Sequence, residues 1–404
     1  MAAKARRPLK SAVDRGRLIR AAARVATILV FAVLPVVLTA TILSAAFVRG
    51  PFLYDYRGGL YEAGTAIVHG HDPYRVDFVA RQAASKRAGE HPDTVISVPV
   101  YPAPTLLAAT PLSLLPYRVS GIVFTLLSIA GLLAGLRLLG VRDWRCYGLA
   151  FCTWPVLHGL LLGALTPLLV LGAAIGWRCR DRLPSAAVSI ATIVVAKLFL
   201  WPLLVWLATT RRLRTLGVAV VLSVVGTLGA WAAIGFDGLA QYPRMLANLS
   251  AVSENVGVSL GSGLLTLGFT DTGAELLAGA AAASLLAAAW VLSRRPDGDR
   301  RSLGLVMVAA LVASPIVWPH YFALALVPIA LASPTLSPLW LTPLLAYLAP
   351  SAQTTGRPWE IVPYLAIVAI VAFRLCSSRP LASDCGEEEG ERPSAESRIP
   401  VPAT

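Results

Sequence analysis

Long apolar runs separated by clusters of lysine and arginine constrain this chain more than any other feature. A run of about 20 apolar residues can cross a lipid bilayer, and such runs recur along most of the sequence. Hydrophobic residues make up 56% of the 404 residues and charged residues 14%, whereas charged residues approach a quarter of a soluble domain. The pattern predicts an all-α polytopic membrane protein with about 11–13 transmembrane helices.

The positions of the basic residues predict the orientation of these helices. Lysine and arginine are enriched in cytoplasmic segments, and residues 1–20 are rich in both. We expect these residues to form a cytoplasmic N-terminus. The apolar run at residues 21–47 is longer than the core of a signal peptide, so we expect a first transmembrane helix that is retained. The formal net charge of +13 then reflects membrane orientation, and we expect no nucleic-acid partner.

This orientation divides the rest of the chain. A transmembrane domain is predicted over residues 21–375, with extracytoplasmic loops at residues 49–101 and 235–272. The first loop has apolar residues at helical spacing between residues 58 and 90, which indicates short helices in the membrane interface. Residues 376–404 combine an acidic run with prolines, which is typical of a disordered tail, here a cytoplasmic one.

The apolar residues 184–210 form an unusual hairpin, because basic residues flank them on both sides. Both ends therefore belong inside the cell, and we expect two short or re-entrant helices whose irregular backbone is buried in protein or lines a cavity. Lys197 lies near the middle. A charge in an apolar segment costs ~2.5–3.5 kcal/mol on insertion scales, which favours a functional lysine; the alternative is a lysine whose ammonium reaches the interface.

Polar side chains are concentrated in the first extracytoplasmic loop, beginning with Asp55. Burial at a membrane boundary can raise the pKa of a carboxyl group, and the carboxylate can accept a proton from a hydroxyl. We therefore predict that Asp55 is a general base, with Glu62 or Asp72 as replacements. The alternative is a solvated loop acid.

Three further polar residues are candidates for binding the donor, and two of them have a second interpretation. His320 adjoins Trp318 after an apolar run, which fits an interfacial anchor as well as a site. In the second loop, Asn255 can cap a helix that returns to the membrane or can contact a substrate. Arg244, in the same loop, is expected to bind the phosphate or the sugar of the donor.

The sequence predicts neither a metal nor a cofactor. The two extracytoplasmic loops contain no D-x-D pair, the arrangement in which two carboxylates hold a divalent metal on a phosphate. No P-loop or nucleotide-binding glycine loop is present in the sequence, which argues against a nucleotide as the energy source. We therefore expect a metal-independent reaction without a cofactor.

Five short segments carry a resemblance to a known family. They are DYRGGLYEA (55–63), GHDPYR (70–75), YPAPTLLAATPLSLLP (101–116), AKLFLWP (196–202) and SPIVWPHYF (314–322). With these segments in this order, the chain resembles the GT-C glycosyltransferases of family eighty-seven. That family includes mycobacterial mannosyltransferases and arabinofuranosyltransferases that use polyprenyl-phosphate sugars. The chain differs from the usual family pattern at Ala103, at Gly163 and Ala164, and at Tyr321.

The resemblance implies a GT-C bundle and transfer of a sugar, with inversion, from a polyprenyl-phosphate donor to a hydroxyl of a lipid-linked glycan or cell-envelope polysaccharide. The reaction would take place on the extracytoplasmic face of the plasma membrane. Mannose is the expected sugar and arabinofuranose the alternative. Asp55 would be the base, and Tyr61 and Tyr101 would line the sugar cleft. Lys197 and His320 would face the donor phosphate.

Two other classes of protein stay open at this point. A transporter or flippase of lipid-linked sugars would also contain intramembrane charges and broken helices, and a scaffold for cell-wall enzymes is the third interpretation. The polar residues are concentrated in the outer loops and no internal repeat is visible, which favours the enzyme. A lipid-linked phosphate donor needs an apolar groove, cations and a carboxylate, and the sequence supplies all three.

Overall fold

The computed structural model describes residues 8–49, 53–74, 99–350 and 358–377, and within these the side chains of residues 8–16, 49, 248, 251–256 and 358 are left out. Every regular element in the described residues is helical, which confirms the predicted all-α class. Residues 75–98, where part of the interfacial helices was predicted, and the tail from residue 378 onward lie outside the described residues.

Eighteen α-helices are numbered here in chain order. They are α1 (Pro8–Ile28), α2 (Leu34–Arg49), α3 (Tyr54–Tyr56), α4 (Glu62–Val68), α5 (Ala103–Ser113), α6 (Tyr117–Leu138), α7 (Trp144–Phe151), α8 (Trp154–Leu162), α9 (Thr166–Arg178), α10 (Leu183–Ala196), α11 (Pro202–Thr209), α12 (Leu213–Ala233), α13 (Gln241–Val256), α14 (Leu260–Thr266), α15 (Asp271–Leu292), α16 (Gly298–Ala313), α17 (Leu326–Ala332) and α18 (Pro358–Ser377). Two π-helical turns and three 3₁₀ segments complete the described elements: Leu29–Val33, Arg57–Tyr61, Leu198–Leu200, Pro319–Ala325 and Pro338–Leu348.

Several of these helices can cross a membrane. Five stretches in the described residues are long and apolar enough, namely Arg17–Val48, α6, α12, α15 and most of α18. Helices α8 and α9 make a sixth if the pair, bent by 115°, is one span. Four apolar helices of 10–17 residues are shorter. The polytopic membrane class is confirmed, whereas the expected 11–13 crossings would need the short and broken helices as well and stay a prediction.

Most predicted segments form helices where the sequence placed them. The first helix is continuous from α1 to α2 through a π-helical turn, and α6 corresponds to the run that follows residue 118. The segment predicted as the second extracytoplasmic loop, residues 235–272, contains the helices α13 and α14. Tyr242, Met245 and Leu249 of α13 are buried, and their spacing of three and four residues gives the helix an apolar face. The sequence did not predict these two helices, and the side of the membrane on which they lie stays a prediction.

Prolines determine where several helices begin. Proline suits the first turn of a helix, where its missing N–H has no intrahelical acceptor, and Pro155, Pro167, Pro184 and Pro202 occupy that turn in α8, α9, α10 and α11. Gly163 ends α8 with a φ of +71°, a conformation that favours glycine. These residues break the apolar runs into the short helices that surround the site.

The centre of the bundle is α16, which is buried along almost its whole length. It packs against α11, α15, α17 and α18, and its continuous apolar sequence suits a helix enclosed on all sides. A smaller aromatic cluster lies at one end of the bundle and contains Leu53, Tyr56, Tyr101, Trp231 and Tyr242. This aromatic cluster joins residues 53–74 to the later helices of the bundle.

A cluster of ion pairs occupies the opposite end of α12. Arg212 precedes α12 and contacts Asp299 at 2.6 Å and Asp181 at 2.8 Å, and Arg180 contacts Asp299 at 3.3 Å. We call these four residues the basic-end cluster. The 21 residues of α12 rise about 31 Å at 1.5 Å per residue, so the basic-end cluster and the aromatic cluster around Trp231 lie far apart.

Candidate active site

Asp55 lies in the one-turn helix α3, and its backbone is held by packing on both sides. Leu53, just before α3, has a left-handed φ of 49° and is fully buried. Tyr56, just after Asp55, stacks on Phe124 with ring centroids 4.4 Å apart and hydrogen-bonds to Ser120. A Cβ on Gly163 would lie 2.6 Å from the Cβ of Tyr56, so α8 ends directly against the segment that carries Asp55.

Lys197 lies at the break that the sequence predicts in the hairpin of residues 184–210. Helix α10 ends at Ala196, Lys197 is extended with φ −146°, and a 3₁₀ turn follows it. The Thr105 hydroxyl donates a hydrogen bond to the Ala196 carbonyl at 3.2 Å, which ties α5 to the break. The side chain of Lys197 is buried, so its ammonium lies inside the protein and the interpretation as a lysine that reaches the interface is wrong.

Two tyrosines hold the Lys197 ammonium. Its Nζ lies 4.9 Å from the ring centroid of Tyr101 and 4.2 Å from that of Tyr321, distances at which a cation is attracted to an aromatic face. Nζ also donates a hydrogen bond to the Tyr321 hydroxyl. Tyr321 is stacked on Phe199, two residues after the lysine, at 5.1 Å. Within the described part of the chain, no carboxylate is in direct contact with this cation.

The Asp55 carboxylate shares this environment. Its charge interacts with the charge of Lys197 and opposes ionisation of the neighbouring Tyr101 and Tyr321 hydroxyls. Burial raises the pKa of Asp55 from 3.8 to about 6, and the positive charge of Lys197 partly opposes this increase. A carboxylate with a pKa of about 6 is ionised at neutral pH and is more basic than an ordinary aspartate. We call Asp55, Tyr101, Lys197, His320 and Tyr321 the site cluster.

His320 is buried beside Tyr321, with ring centroids 4.8 Å apart. The sequence placed it at the outer end of an apolar run, where an interfacial anchor was one interpretation. That interpretation is wrong, because the 3₁₀ segment Pro319–Ala325 turns into the core and buries all of its residues. The position of His320 next to Tyr321 agrees with the alternative interpretation as a site residue.

Two residues near His320 were missed in the sequence. His158 lies 5.6 Å from His320, and Trp154 stacks on His158 at 5.3 Å between ring centroids. Both belong to α8, and the sequence signal that could have identified them is the segment WPVLHG, in which an imidazole stands inside an apolar run. Histidine is rarely buried in such a run without a reason.

The packed rings of Tyr74, Trp231 and Tyr242, which we call the aromatic wall, position Tyr101. The Tyr74 hydroxyl donates to the Tyr101 carbonyl at 2.8 Å, and the Tyr242 hydroxyl donates to the Val100 carbonyl at 3.4 Å. The Tyr74 ring also stacks on Trp231 at 5.1 Å. The G-x-D-P-Y turn therefore has a structural function here, since it fixes the backbone at the start of α5.

The structure does not bring every predicted residue into the site cluster. The Tyr61 hydroxyl donates to the Leu115 carbonyl at 2.8 Å and its ring packs against Tyr117 at 5.2 Å. Arg244 is exposed, and the side chain of Asn255 lies outside the described residues. Their proposed contacts with a donor stay predictions.

The two alternative bases lie in different surroundings from Asp55. Glu62 is exposed and pairs with Arg57 at 2.8 Å, whereas Asp72 accepts a hydrogen bond from the Tyr74 backbone at 2.8 Å. A solvated glutamate and a turn-capping aspartate are less suited to proton abstraction in a shielded site. Asp55 is the best placed of the three.

The chain does contain one D-x-D pair, Asp297 and Asp299, at the basic end. Asp299 is held there by Arg180 and Arg212, which leaves little capacity for a metal. In the described residues, no group of three or more His, Cys, Asp or Glu side chains is arranged to hold a metal ion. Metal independence stays a prediction. In a metal-independent reaction, the Lys197 ammonium would supply the positive charge of the site cluster.

The fold and the site together define a polytopic membrane enzyme with a carboxylate and an ammonium in one shielded site. The chain matches the model of glycosyltransferase family 87 over residues 100–315, more than half of its length, and it belongs to that family. It is therefore a membrane glycosyltransferase. Comparison with curated proteins and with solved structures gives no match. Asp55 and His320 lie outside the matched residues, so their assignment depends on the geometry.

Proposed function

We propose that this glycosyltransferase transfers a sugar from a polyprenyl-phosphate donor to a hydroxyl of a lipid-linked glycan or cell-envelope polysaccharide, with mannose as the proposed sugar. The observation that supports it best is the site cluster, in which a carboxylate of raised pKa and an ammonium held by two tyrosines share one environment. This is the pair of charges that transfer from a phosphate donor to a hydroxyl requires.

Asp55 acts as the general base in this reaction. Its carboxylate takes the proton of the acceptor hydroxyl while the acceptor oxygen attacks the anomeric carbon of the donor sugar. The bond from that carbon to the phosphate oxygen breaks, and its electron pair leaves with the phosphate. Attack on the face opposite the phosphate inverts the configuration at the anomeric carbon. Glu62 and Asp72, one solvated and one capping a turn, contribute no base to this step.

Lys197 stabilises the phosphate that leaves. Negative charge accumulates on the phosphate oxygens as the glycosidic bond breaks, and a cation already in place stabilises it without reorganisation. The two tyrosine rings and the Tyr321 hydroxyl hold Nζ in position before the donor arrives. The polyprenyl tail would extend into the surrounding lipid, which requires no water-filled path for the donor.

The active site is proposed to face the extracytoplasmic side. Basic residues mark the cytoplasmic side of a membrane protein, and the basic-end cluster lies at the opposite end of α12 from the aromatic wall beside Asp55. The sidedness follows from charge alone, so it can be tested without activity.

Labelling with an impermeant maleimide tests the sidedness. In a chain with Cys179, Cys376 and Cys385 replaced by Ser, His71→Cys should be labelled in intact cells, whereas Arg295→Cys should be labelled after permeabilisation. Both positions are exposed in the structure. The reverse labelling pattern would place the site in the cytoplasm and exclude an extracytoplasmic reaction.

Incubation with labelled donors tests the reaction. Membranes that contain the protein are incubated separately with radiolabelled polyprenyl-phosphomannose and polyprenyl-phosphoarabinofuranose, with Asp55→Asn membranes as the control. Incorporation of mannose into glycolipid supports the proposal. Incorporation of arabinofuranose would show that arabinofuranose, and not mannose, is the transferred sugar. Incorporation from neither donor would overturn both proposed donors and show that the enzyme uses a different one.

A further inference from the structure

Next to Tyr321 lies a group of three aromatic heterocycles that the proposed reaction does not use in full. It consists of Trp154, His158 and His320, which we call the deep cluster. The ring centroids of Trp154 and His158 are 5.3 Å apart and their planes differ by 16°, and His158 lies 5.6 Å from His320. His158 and His320 are 1% and 3% exposed.

Four ring nitrogens of the deep cluster are buried without a hydrogen-bond partner among the described residues. They are Nε1 of Trp154, both nitrogens of His158 and Nδ1 of His320. More than nine-tenths of buried polar groups in native proteins have a partner, and one left without costs about 1–3 kcal/mol. Four such atoms on three touching rings indicate a place where a polar ligand supplies the missing partners.

The chemistry of these nitrogens favours hydroxyl groups over phosphate oxygens. Trp154 Nε1–H is a donor, and a neutral imidazole offers one donor and one acceptor. Phosphate oxygens only accept, so they would leave the acceptor nitrogen of His158 without a partner unless its ring became charged. A second buried charge beside His320 and near Lys197 would be unfavourable. Sugar hydroxyls both donate and accept, and they satisfy the whole set.

Helix α8 connects this cluster to the segment that carries Asp55. Gly163, at the end of α8, touches Leu53 and Tyr56 on either side of Asp55. His158 lies five positions earlier, about 7.5 Å along the axis at 1.5 Å per residue. That length is close to that of one monosaccharide, so a sugar whose anomeric carbon lies near Asp55 can place its far hydroxyls at His158.

We propose that Trp154, His158 and His320 form the recognition site for the hydroxyl groups of the transferred sugar. His158 donates to one hydroxyl and accepts from another, and Trp154 Nε1–H donates to a third oxygen. Lys197 binds the phosphate, which every polyprenyl-phosphate donor shares, whereas the deep cluster reads the sugar itself. This inference rests on the proposed function and assigns sugar selection to a cluster in which the sequence revealed His320 alone.

Two lipids that differ by the sugar alone test the proposal. Binding of polyprenyl-phosphomannose and of sugar-free polyprenyl phosphate is measured with the full chain in lipid nanodiscs. His158→Phe keeps the stacked ring but removes both nitrogens. It should weaken binding of the glycosylated lipid by roughly 10-fold or more, the scale of one or two hydrogen bonds, and leave binding of the sugar-free lipid unchanged. Lys197→Met should weaken binding of both.

Two control variants separate recognition from a structural effect. Trp154→Phe removes the Nε1–H donor and should weaken binding of the glycosylated lipid by a few-fold. It also replaces His158→Phe as the test variant if the latter does not fold. Ser128→Ala, in α6, removes another buried hydroxyl that has no partner among the described residues and should change neither affinity.

Each outcome distinguishes the two proposals. If His158→Phe and Trp154→Phe weaken the binding of both lipids equally, or of neither, the ring nitrogens bind ordered water or contribute to packing. The proposal that the deep cluster recognises the sugar is then wrong. If the wild-type protein binds the arabinofuranose lipid and not the mannose lipid, the same comparison is made with that donor. If the wild-type protein binds no polyprenyl phosphate of any kind, the proposed function itself fails.

Discussion

The site cluster and the basic-end cluster are both groups of charges in an apolar protein, yet they are satisfied in opposite ways. At the basic end, Asp299 accepts from Arg212 at 2.6 and 2.7 Å and from Arg180 at 3.3 Å. In the site cluster, Lys197 contacts two tyrosines and no carboxylate within the described residues, and His320 has a buried nitrogen without a partner.

This difference separates a structural cluster from a functional one. Carboxylates that are matched by arginines in direct contact have little capacity left for a ligand. A cation held by neutral rings, beside a carboxylate of raised pKa, keeps its capacity to bind an anion. Variants in the two clusters should therefore affect different measurements, namely catalysis for the site cluster and stability for the basic end.

The largest expected effect is the loss of turnover in Asp55→Asn. Asn keeps the shape of the side chain but cannot take the acceptor proton, and general-base catalysis contributes about 10²- to 10⁴-fold. The rate of transfer should fall by that factor while donor affinity changes by no more than a few-fold, as measured by single-turnover transfer and by lipid binding. A rate above about a tenth of wild type would show that Asp55 is not the base.

The next effect is the dependence of kcat/KM on pH. Asp55 is active when deprotonated, and its pKa of about 6 lies above the ordinary value. On the acidic side, activity should therefore reach its plateau near pH 7 and fall about tenfold per pH unit well below pH 6. A profile measured in purified protein that shows its acidic limb near pH 4 would contradict the raised pKa.

Lys197→Met should reduce kcat/KM by about 10- to 100-fold, the scale of one charge-assisted hydrogen bond. The variant keeps apolar volume and loses the cation. Because the charge of Lys197 lowers the pKa of Asp55, its removal should also move the acidic limb to higher pH. A variant with a reduced rate but an unchanged pH profile would show that the two groups do not interact.

Tyr321→Phe should have a smaller effect. It removes the hydroxyl that accepts from Lys197 but keeps the ring beneath the cation, and a neutral acceptor contributes about 0.5–1.5 kcal/mol. We expect kcat/KM to fall about two- to tenfold, with most of the change in KM for the donor. Tyr364→Phe, which removes a buried hydroxyl that donates to the Ala349 carbonyl, is the matched control and should leave KM unchanged.

The smallest effect on activity is expected at the basic end. Asp299→Asn breaks the contacts with Arg212 and Arg180 and should destabilise the protein by about 1–3 kcal/mol, measured as a lower Tm in detergent. Transfer per folded molecule at a permissive temperature should equal that of wild type. A large loss of turnover at unchanged Tm would remove the distinction between the two clusters.

Local sequence predicted the apolar framework because hydrophobicity and basic flanks act within single segments. The first helix, α6 and the break at Lys197 follow from run length and charge alone. The sequence also identified Asp55 and Lys197 as candidates, since charges near or within apolar runs are conspicuous. These are properties that a residue has before the chain folds.

The remaining features arise from contacts between distant segments. The sequence could not show that Tyr321 would hold Lys197, or that His158 would pack beside His320, because each pair joins different helices. The helices within residues 235–272 were missed because the partners of their buried side chains lie in other segments; Tyr242 of α13, for example, packs against Tyr74 and Trp231.

The Lys197 contacts also have a consequence for the biogenesis of the protein. Chains are made from the N-terminus, so Asp55 and Tyr101 are already synthesised when Lys197 enters the bilayer, whereas Tyr321 and His320 are not. During that interval one earlier ring and one earlier carboxylate are the partners available to a lysine that is costly to insert. We expect substitutions of Asp55 or Tyr101 to lower the yield of inserted protein even where the finished molecule is stable. Rates for those variants should be expressed per inserted molecule.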